Sequence, residues 1–560
     1  MVVPVDLFHW LAAIAPIAVL LVLLVKYRWP AHVAAVVAVF TAAAVAVGIY
    51  LTPLFPLAVA AAKGVWDAVF ILYVVWPALL MYLITQRAGA LYAIRKGIQQ
   101  FSNNDLFLVL AFGWVFVAFL QGITGFGAPI AIVAPLLLAL GVKPIYAVAI
   151  PLIGHAWNNN FGTLAVGWYA ADAVAPFQST VETAVHTSIL HTIPIILGGF
   201  AIAWLYGRKS AILHAWPMIL LLAVSQSIAL LLVSIYSPFI AGFLSAAVGM
   251  ALLYPISRWG KYGEQHEPFD RPAMAKEMDA VATDGGEPAP TEEEDEPEPL
   301  MGLVEALIPY LVLLVVAVIV AFPAVDEVLS QFEVGFPFPA VETGYLEHAA
   351  EDPYSPFAIL THPGTIILIG VIAGWLLYRQ RGYYKDWREV METSSHIDEE
   401  PSMGHSLLEN GIPASLAIVI LVVMATIMVD SGQIRVLALG ISLVVGGTTY
   451  LFLSNGIGVL GAFMTGSNTA SNIMFSPLHD EAAAELDLPQ WTVLGAQMTG
   501  GAIGNAISPF NVVLGTGTVG IVGDEGDVLR KTIPWVLIVS VLVGILTVLI
   551  SGFVFLGGAA

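Results

Sequence analysis

The stretches Phe119-Leu-Gln-Gly-Ile-Thr-Gly-Phe-Gly-Ala-Pro129 and Leu460-Gly-Ala-Phe-Met-Thr-Gly-Ser-Asn-Thr-Ala-Ser-Asn472 each set glycines and polar groups in the middle of a long apolar segment. Aligning Ile123-Thr-Gly125 on Met464-Thr-Gly466 gives an offset of 341 residues. Each stretch is followed by an Asn-rich partner, Asn158-Asn-Asn-Phe-Gly-Thr163 and Gly501-Ala-Ile-Gly-Asn-Ala-Ile-Ser-Pro-Phe-Asn511. Interrupted hydrophobic segments at corresponding places in two halves of a chain point to a transporter's binding site near the bilayer midplane.

Composition agrees. Of the 560 residues 58% are hydrophobic and 11% charged, and the mean hydropathy is +0.86. Many runs approach the roughly 20 apolar residues that a membrane helix needs. The first run, Phe8 to Val25, lacks a preceding basic region and a small-residue cleavage signal, so it reads as a retained helix. The 41 acids exceed the 20 bases, but the acids lie mostly in loops, where solvation accounts for them. Residues 258–300 and 324–357 are acidic segments expected to be loosely ordered. With no Cys there is neither a disulfide framework nor a thiolate metal site.

The expected fold is an all-α polytopic membrane protein with about 12 transmembrane helices plus two re-entrant hairpins. Spans are expected near 8–25, 31–51, 64–86, 144–166, 184–207, 212–235, 237–256, 302–323, 358–378, 407–430, 491–515 and 532–556. The segments 106–142 and 448–479 are too long for one crossing and carry the Gly-rich breaks, so they read as the hairpins. Lys and Arg cluster in alternate loops, from Lys26 through Lys143, Arg208, Arg258 and Arg379 to Lys531, which places that side in the cytoplasm. Both termini are then external, and the first hairpin enters from inside and the second from outside. Residues 1–207 form a first inverted-topology repeat, 208–257 an extra helix pair, 258–300 an acidic cytoplasmic linker, and 301–560 the second repeat.

The break at Thr124, Gly125, Phe126 and Gly127 frees backbone groups that can bind a ligand. Asn158, Asn159 and Asn160 put amides on nearly every face of a helix, and an unpaired buried amide costs about 1 to 3 kcal/mol, so unwinding is expected there. His155 is the best-placed protonatable group. His186 and His191 are spaced poorly for a metal pair, and Asp67, Asp430 and Glu305 are expected at span ends within reach of interfacial water. Thr465, Gly466, Ser467, Asn468 and Thr469 at the second tip, with Asn505, Ser508 and Asn511, offer oxygens to a hard cation and donors to a carboxylate. Ser467, Asn468 and Asn472 form a candidate Na⁺ set. No Lys or Arg lies nearby, so backbone N–H groups and half-helix dipoles would have to hold an anion.

At these residues the chain resembles the L-lactate permease family. Ile123-Thr-Gly-Phe-Gly-Ala-Pro129, Leu460-Gly-Ala-Phe-Met-Thr-Gly-Ser467 with Thr469-Ala-Ser-Asn472, and Ile507-Ser-Pro509 with Thr518-Val-Gly-Ile-Val-Gly523 look like its signatures. The resemblance implies proton-coupled uptake of lactate or a related 2-hydroxy acid on a fold like that of the wider ion transporter superfamily. Asn468 stands where the family usually has Asp and Asn505 where Lys is expected, and His155 to Asn160 also depart from the pattern. These departures remove the usual coupling acid and carboxylate anchor.

The expected function is therefore secondary transport of a short 2-hydroxy monocarboxylate by proton symport, in the cell membrane. Alternatives are a Na⁺-coupled carrier of another small organic anion and a channel, since Gly-rich re-entrant loops also build filters. No enzyme motif occurs in any span, and no cofactor is expected. Expected partners are the anion, its co-transported H⁺ or Na⁺ and the bilayer, with a homodimer open and no nucleic acid.

Overall fold

The computed structural model describes residues 4–27, 29–125, 127–263, 271–274, 298–320, 323–394 and 402–557. Phe126 and most of the 258–300 linker lie outside them. Nine helices among the described residues are long and apolar enough to cross a membrane. One of these, Thr180–Tyr236, is two rods: Gly207 (φ −148°, ψ 25°) and Arg208 (φ 56°, ψ −145°) leave the helical region between them. Residues 209–236 and Pro238–Ser257 form two successive helices.

Helices flanking this pair follow the same order in each half. Leu7–Val25, Ala31–Gly48 and Leu54–Arg87 come first in one half, and Leu303–Val320, Pro363–Gln380 and Met403–Asp430 in the other. The ten-residue helices Ala90–Gln99 and Gln433–Ser442 come next, each led by a left-handed glycine, Gly89 (φ 73°) and Gly432 (φ 86°). Glycine alone takes that turn without cost. A helix–break–helix hairpin and a broken span follow in both halves, closed by 180–206 and by Glu525–Gly557.

The first hairpin rises through Asp105–Leu110, a π-helical stretch Ala111–Phe116 and Val117–Ile123, then returns as Ala128–Ala139. Its rising arm is buried throughout from Leu106 to Ile123. Gly125 (φ 61°) and Gly127 (φ 81°) reverse the chain at the tip. In the second hairpin, Gly466 (φ 73°) separates Gly447–Thr465 from Asn468–Glu485. Such polar breaks persist within an apolar slab only when other protein encloses them.

Both expected single spans that follow the hairpins are broken. Pro144–Ala156 and Gly162–Val174 are joined by a turn through the three asparagines, and Thr163, Leu164 and Ala165 hold positive φ of 51°, 54° and 60°. Left-handed backbone costs non-glycine residues about 1–2 kcal/mol each, so surrounding contacts must hold the turn. In the second half Gln490–Gly504 passes through Asn505–Ile507 to Pro509–Thr518. Pro509 keeps Ser508 extended (ψ 127°), which breaks the helix there.

Two expectations are corrected. Residues 324–357 are not loose among the described residues: Glu333–Phe338 pairs antiparallel with Glu351–Ala358, and Val341–Glu342 with Glu347–His348. Aromatic burial offsets the acidic composition, since Trp66 packs on Phe336 and stacks on Phe357, with centroids 4.8 and 5.3 Å away. Asp67 is also not at interfacial water. Leu54–Arg87 begins ten residues before the expected span, which carries Lys63 and Asp67 beneath this ribbon, both almost fully buried. Lys63 Nζ bonds Glu351 at 2.8 Å, and the Tyr354 hydroxyl donates to Asp67 Oδ2 at 2.8 Å. Burial, then the Asp67 carboxylate, pushes the Tyr354 phenol well above its ordinary pKa, which keeps it the donor. The described part of the linker is anchored to the first hairpin: Arg271 ion-pairs with Asp105, and Lys143 N donates to Ala273 O at 2.8 Å.

Candidate functional site

The second hairpin tip meets the first broken span. Asn468 is the first residue of its helix, capped by the Ser467 hydroxyl on Ala470 N, so its side chain leaves the helix at the positive end of the dipole. Its Nδ2 donates to Asn159 O at 3.3 Å and Asn160 Oδ1 at 3.4 Å. One turn on, Asn472 Nδ2 donates to the same Asn160 Oδ1 at 3.2 Å and to Gly167 O at 2.9 Å. Asn159 braces the two broken spans by donating to Ala156 O and Ala502 O at 3.1 and 3.2 Å. Gly167 and Gly501 flank the Asn468 amide, one against its Nδ2 and the other against its Oδ1.

Two polar atoms in this buried cluster have no protein partner among the described residues. They are Asn160 Nδ2, a donor, and Asn468 Oδ1, an acceptor. Leaving either unsatisfied costs about 1–3 kcal/mol, so both are groups that a polar ligand would relieve.

Both tips also approach the second break. A side chain at Gly466 would begin 2.9 Å from Phe510 Cβ and 3.2 Å from Ser508 Oγ, itself buried and without a partner among the described residues. Gly127 faces Leu514 and lies near Asn511 Oδ1, while Gly125 is pressed on Thr163 Oγ1. Asn511 Nδ2 donates to Asn505 O at 3.2 Å and Asn505 Oδ1 at 3.3 Å.

Other candidates are occupied with structure. Asn158 Nδ2 donates to Ala118 O at 2.8 Å and Gly242 O at 3.1 Å, while its Oδ1 accepts no hydrogen bond among the described residues. Thr124 Oγ1 donates to Leu120 O, and Thr465 Oγ1 to Gly461 O and Ser467 O. Thr469 is half-buried. His155, in the last turn of Pro144–Ala156, bonds Pro151 O through Nδ1 at 2.8 Å. His186 and His191 each meet a threonine of the facing helix, Thr492 at 2.9 Å and Thr499 at 3.0 Å. Of the oxygens in the candidate Na⁺ set, Ser467 Oγ accepts from Ala470 N, Asn472 Oδ1 accepts from Gln497 Nε2, and Asn468 Oδ1 accepts no hydrogen bond among the described residues.

Sequence reasoning missed Gln497, His479 and Tyr450. Gln497 Nε2 lies 3.4 Å from Asn472 Oδ1, Gln497 Oε1 is 3.0 Å from His479 Nε2, and the Tyr450 hydroxyl is 2.7 Å from His479 Nδ1. A signal existed: Gln497, Gly501 and Asn505 recur every fourth residue, as do Asn468 and Asn472, which marks one helix face.

This polytopic helical architecture, closed on a buried amide cluster at chain breaks, is that of a membrane transport protein rather than an enzyme. The chain belongs to the L-lactate permease family, whose sequence model matches residues 9–554. It is 26% identical to the L-lactate permease of Bacillus subtilis, over 96% of this chain and 95% of that protein. It is 27% identical to two Escherichia coli proteins, glycolate permease GlcA (98% and 96% covered) and L-lactate permease (96% of each). Among solved structures, the YdaH transporter of Alcanivorax borkumensis is similar with 14% identity and a TM-score of 0.40, over 86% of this chain and 85% of that one.

Proposed function

We propose that this protein carries L-lactate or a related short 2-hydroxy monocarboxylate across the cell membrane with a co-transported proton. The unpartnered pair Asn160 Nδ2 and Asn468 Oδ1 carries the reading. A 2-hydroxy acid offers the complement: its carboxylate accepts from the amide N–H and its hydroxyl donates to the amide oxygen. The N-terminus of Asn468–Glu485 adds positive potential where no Lys or Arg is needed. The names of the relatives point the same way. Because the three amides are buried, substrate enters only when the second hairpin moves from the first broken span. The matched element order supports two repeats, and the Lys and Arg distribution supports their inverted orientation, with the first hairpin entering from the cytoplasm, the second from outside, and both termini external.

The test is uptake into proteoliposomes of lactate, glycolate, propionate and acetate, with H⁺ and Na⁺ gradients imposed separately. Lactate and glycolate are expected to saturate, show counterflow and exceed propionate, driven by H⁺. Equal uptake of propionate overturns the 2-hydroxy reading, a Na⁺ requirement overturns proton coupling, and non-saturating flux favours a channel.

His155 is the proposed proton carrier, placed in the last turn of Pro144–Ala156 beside the first break. His155→Gln is expected to abolish pH-driven accumulation and keep exchange of labelled lactate, because exchange needs binding and rearrangement but not the proton. Unchanged accumulation removes His155 from the mechanism.

Asn505 lies one turn beyond Ala502, whose carbonyl is bonded to Asn159. Asn505→Lys places an ammonium within reach of the bound carboxylate, and the half-saturation constant for lactate is expected to fall about tenfold, the effect of roughly 1.4 kcal/mol. Unchanged lactate binding in a folded variant moves the carboxylate away from the second break.

A further inference from the structure

Tyr450, His479, Gln497, Asn472 and Asn160 form one buried chain of hydrogen bonds, and two backbone carbonyls fix its direction. Asn472 Nδ2 donates to Gly167 O at 2.9 Å, so Asn472 Oδ1 must be the atom facing Gln497. Gln497 Nε2 donates to Ser471 O at 3.3 Å as well as to Asn472 Oδ1, so Gln497 Oε1 must face His479. Turning either amide over would set carbonyl against carbonyl, at Gly167 O for Asn472 and at Ser471 O for Gln497. An amide oxygen only accepts, so His479 carries its proton on Nε2, and its Nδ1 accepts the Tyr450 hydroxyl. At the other end, Asn160 Oδ1 receives N–H groups from both Asn468 and Asn472, which turns Asn160 Nδ2 away as the donor without a partner.

We propose that His479 is a positioning residue of the transport site: held as the Nε2–H tautomer by Tyr450, it orients Gln497 and Asn472 so that the chain ends in a free N–H at Asn160. Each donor in such a series polarises the next, so the terminal N–H is a stronger partner for a carboxylate than an isolated amide. The carboxylate as its ligand rests on the function proposed above. The tautomer does not. Among the described residues Tyr450 and Gln497 are the hydrogen-bond partners of this imidazole, and the ring of Tyr450 also packs edge-on against it at 5.5 Å.

Two measurements test the assignment and fail separately. In protein labelled with ¹⁵N-histidine, the His479 signal, identified by its loss in His479→Gln, is expected to show a protonated Nε2 and a bare Nδ1. A protonated Nδ1 overturns the proposal whatever the substrate is. In labelled-lactate exchange, His479→Gln keeps an N–H donor near the position of Nε2, so its half-saturation constant is expected to stay within about twofold of the parent. His479→Leu supplies no donor, and Tyr450→Phe, a milder change that keeps the ring, releases Nδ1. Each is expected to raise the constant about fivefold while the maximal exchange rate is kept, the effect of one lost hydrogen bond. Equal constants for His479→Gln and His479→Leu, or a fall in maximal rate with the constant unchanged in Tyr450→Phe, overturn the positioning role. Should the parent protein not exchange lactate, the substrate reading falls and the tautomer result still stands.

Discussion

Asn160→Asp is expected to abolish lactate transport at neutral pH and to leave the protein folded. The substitution keeps the oxygen that accepts N–H groups from Asn468 and Asn472 at 3.4 and 3.2 Å, and charge strengthens those two bonds. In place of the unpartnered Nδ2 it puts a second carboxylate oxygen, which cannot donate. Two anionic groups about 4 Å apart repel by about 4 kcal/mol at an effective dielectric constant of 20, roughly a thousandfold in affinity. The sign with pH follows from the chemistry. Below the pKa of the introduced carboxyl the group is neutral and its O–H donates, so binding returns as pH falls and is lost as pH rises. Labelled-lactate binding across a pH series checks this, with a thermal melt alongside. Binding that stays within about threefold of the parent at pH 7 would show that the carboxylate does not approach Asn160.

The sequence made the breaks legible because two physical rules act locally there. Glycines remove the steric cost of positive φ, and three adjacent amides cannot all be hidden on one helix, so Gly125, Gly127, Gly466 and Asn158 to Asn160 announce interrupted helices without any tertiary information. What the amides bond to was not legible. Asn158 faces Ala118 and Gly242, while Asn160 faces Asn468 and Asn472 from the other half of the chain. That separation depends on how the turn winds through Thr163 to Ala165, three left-handed residues that no propensity favours. The ribbon over Lys63 was hidden for a different reason: composition weighs its acids, whereas its order comes from aromatic residues meeting Trp66 from a distant helix. His479 was overlooked at the end of an expected hairpin, because its importance lies in Gln497, a contact between helices that spacing along one helix does not reveal.

Gly501→Ala and Gly167→Ala should each stop transport although both substitutions favour the helices that carry them. Alanine in place of glycine inside a helix is worth up to about 1 kcal/mol in local stability. Here the added methyl group has nowhere to go. At Gly501 it would fall inside contact distance of Asn468 Oδ1 and stand 3.2 Å from Asn472 Oδ1, and at Gly167 it would press on Asn468 Nδ2 and on Asn160. The Asn468 amide thus lies in a slot between two helices whose width only glycine on both walls allows. Either methyl group displaces the amide from Asn159 and Asn160, or wedges the second hairpin away from the first broken span. In both cases the donor and acceptor that define the site separate, and transport is expected to fall at least a hundredfold, the effect of roughly 2.7 kcal/mol. Gly517→Ala, where an added methyl group meets nothing within 4 Å, serves as the control. Uptake and melting temperature measured together decide the matter. Near-normal uptake in both slot variants would show that the close approach of Gly167 and Gly501 to Asn468 is not part of the transporting conformation. Lost uptake with an unchanged or raised melting temperature would place the loss in the site rather than in folding.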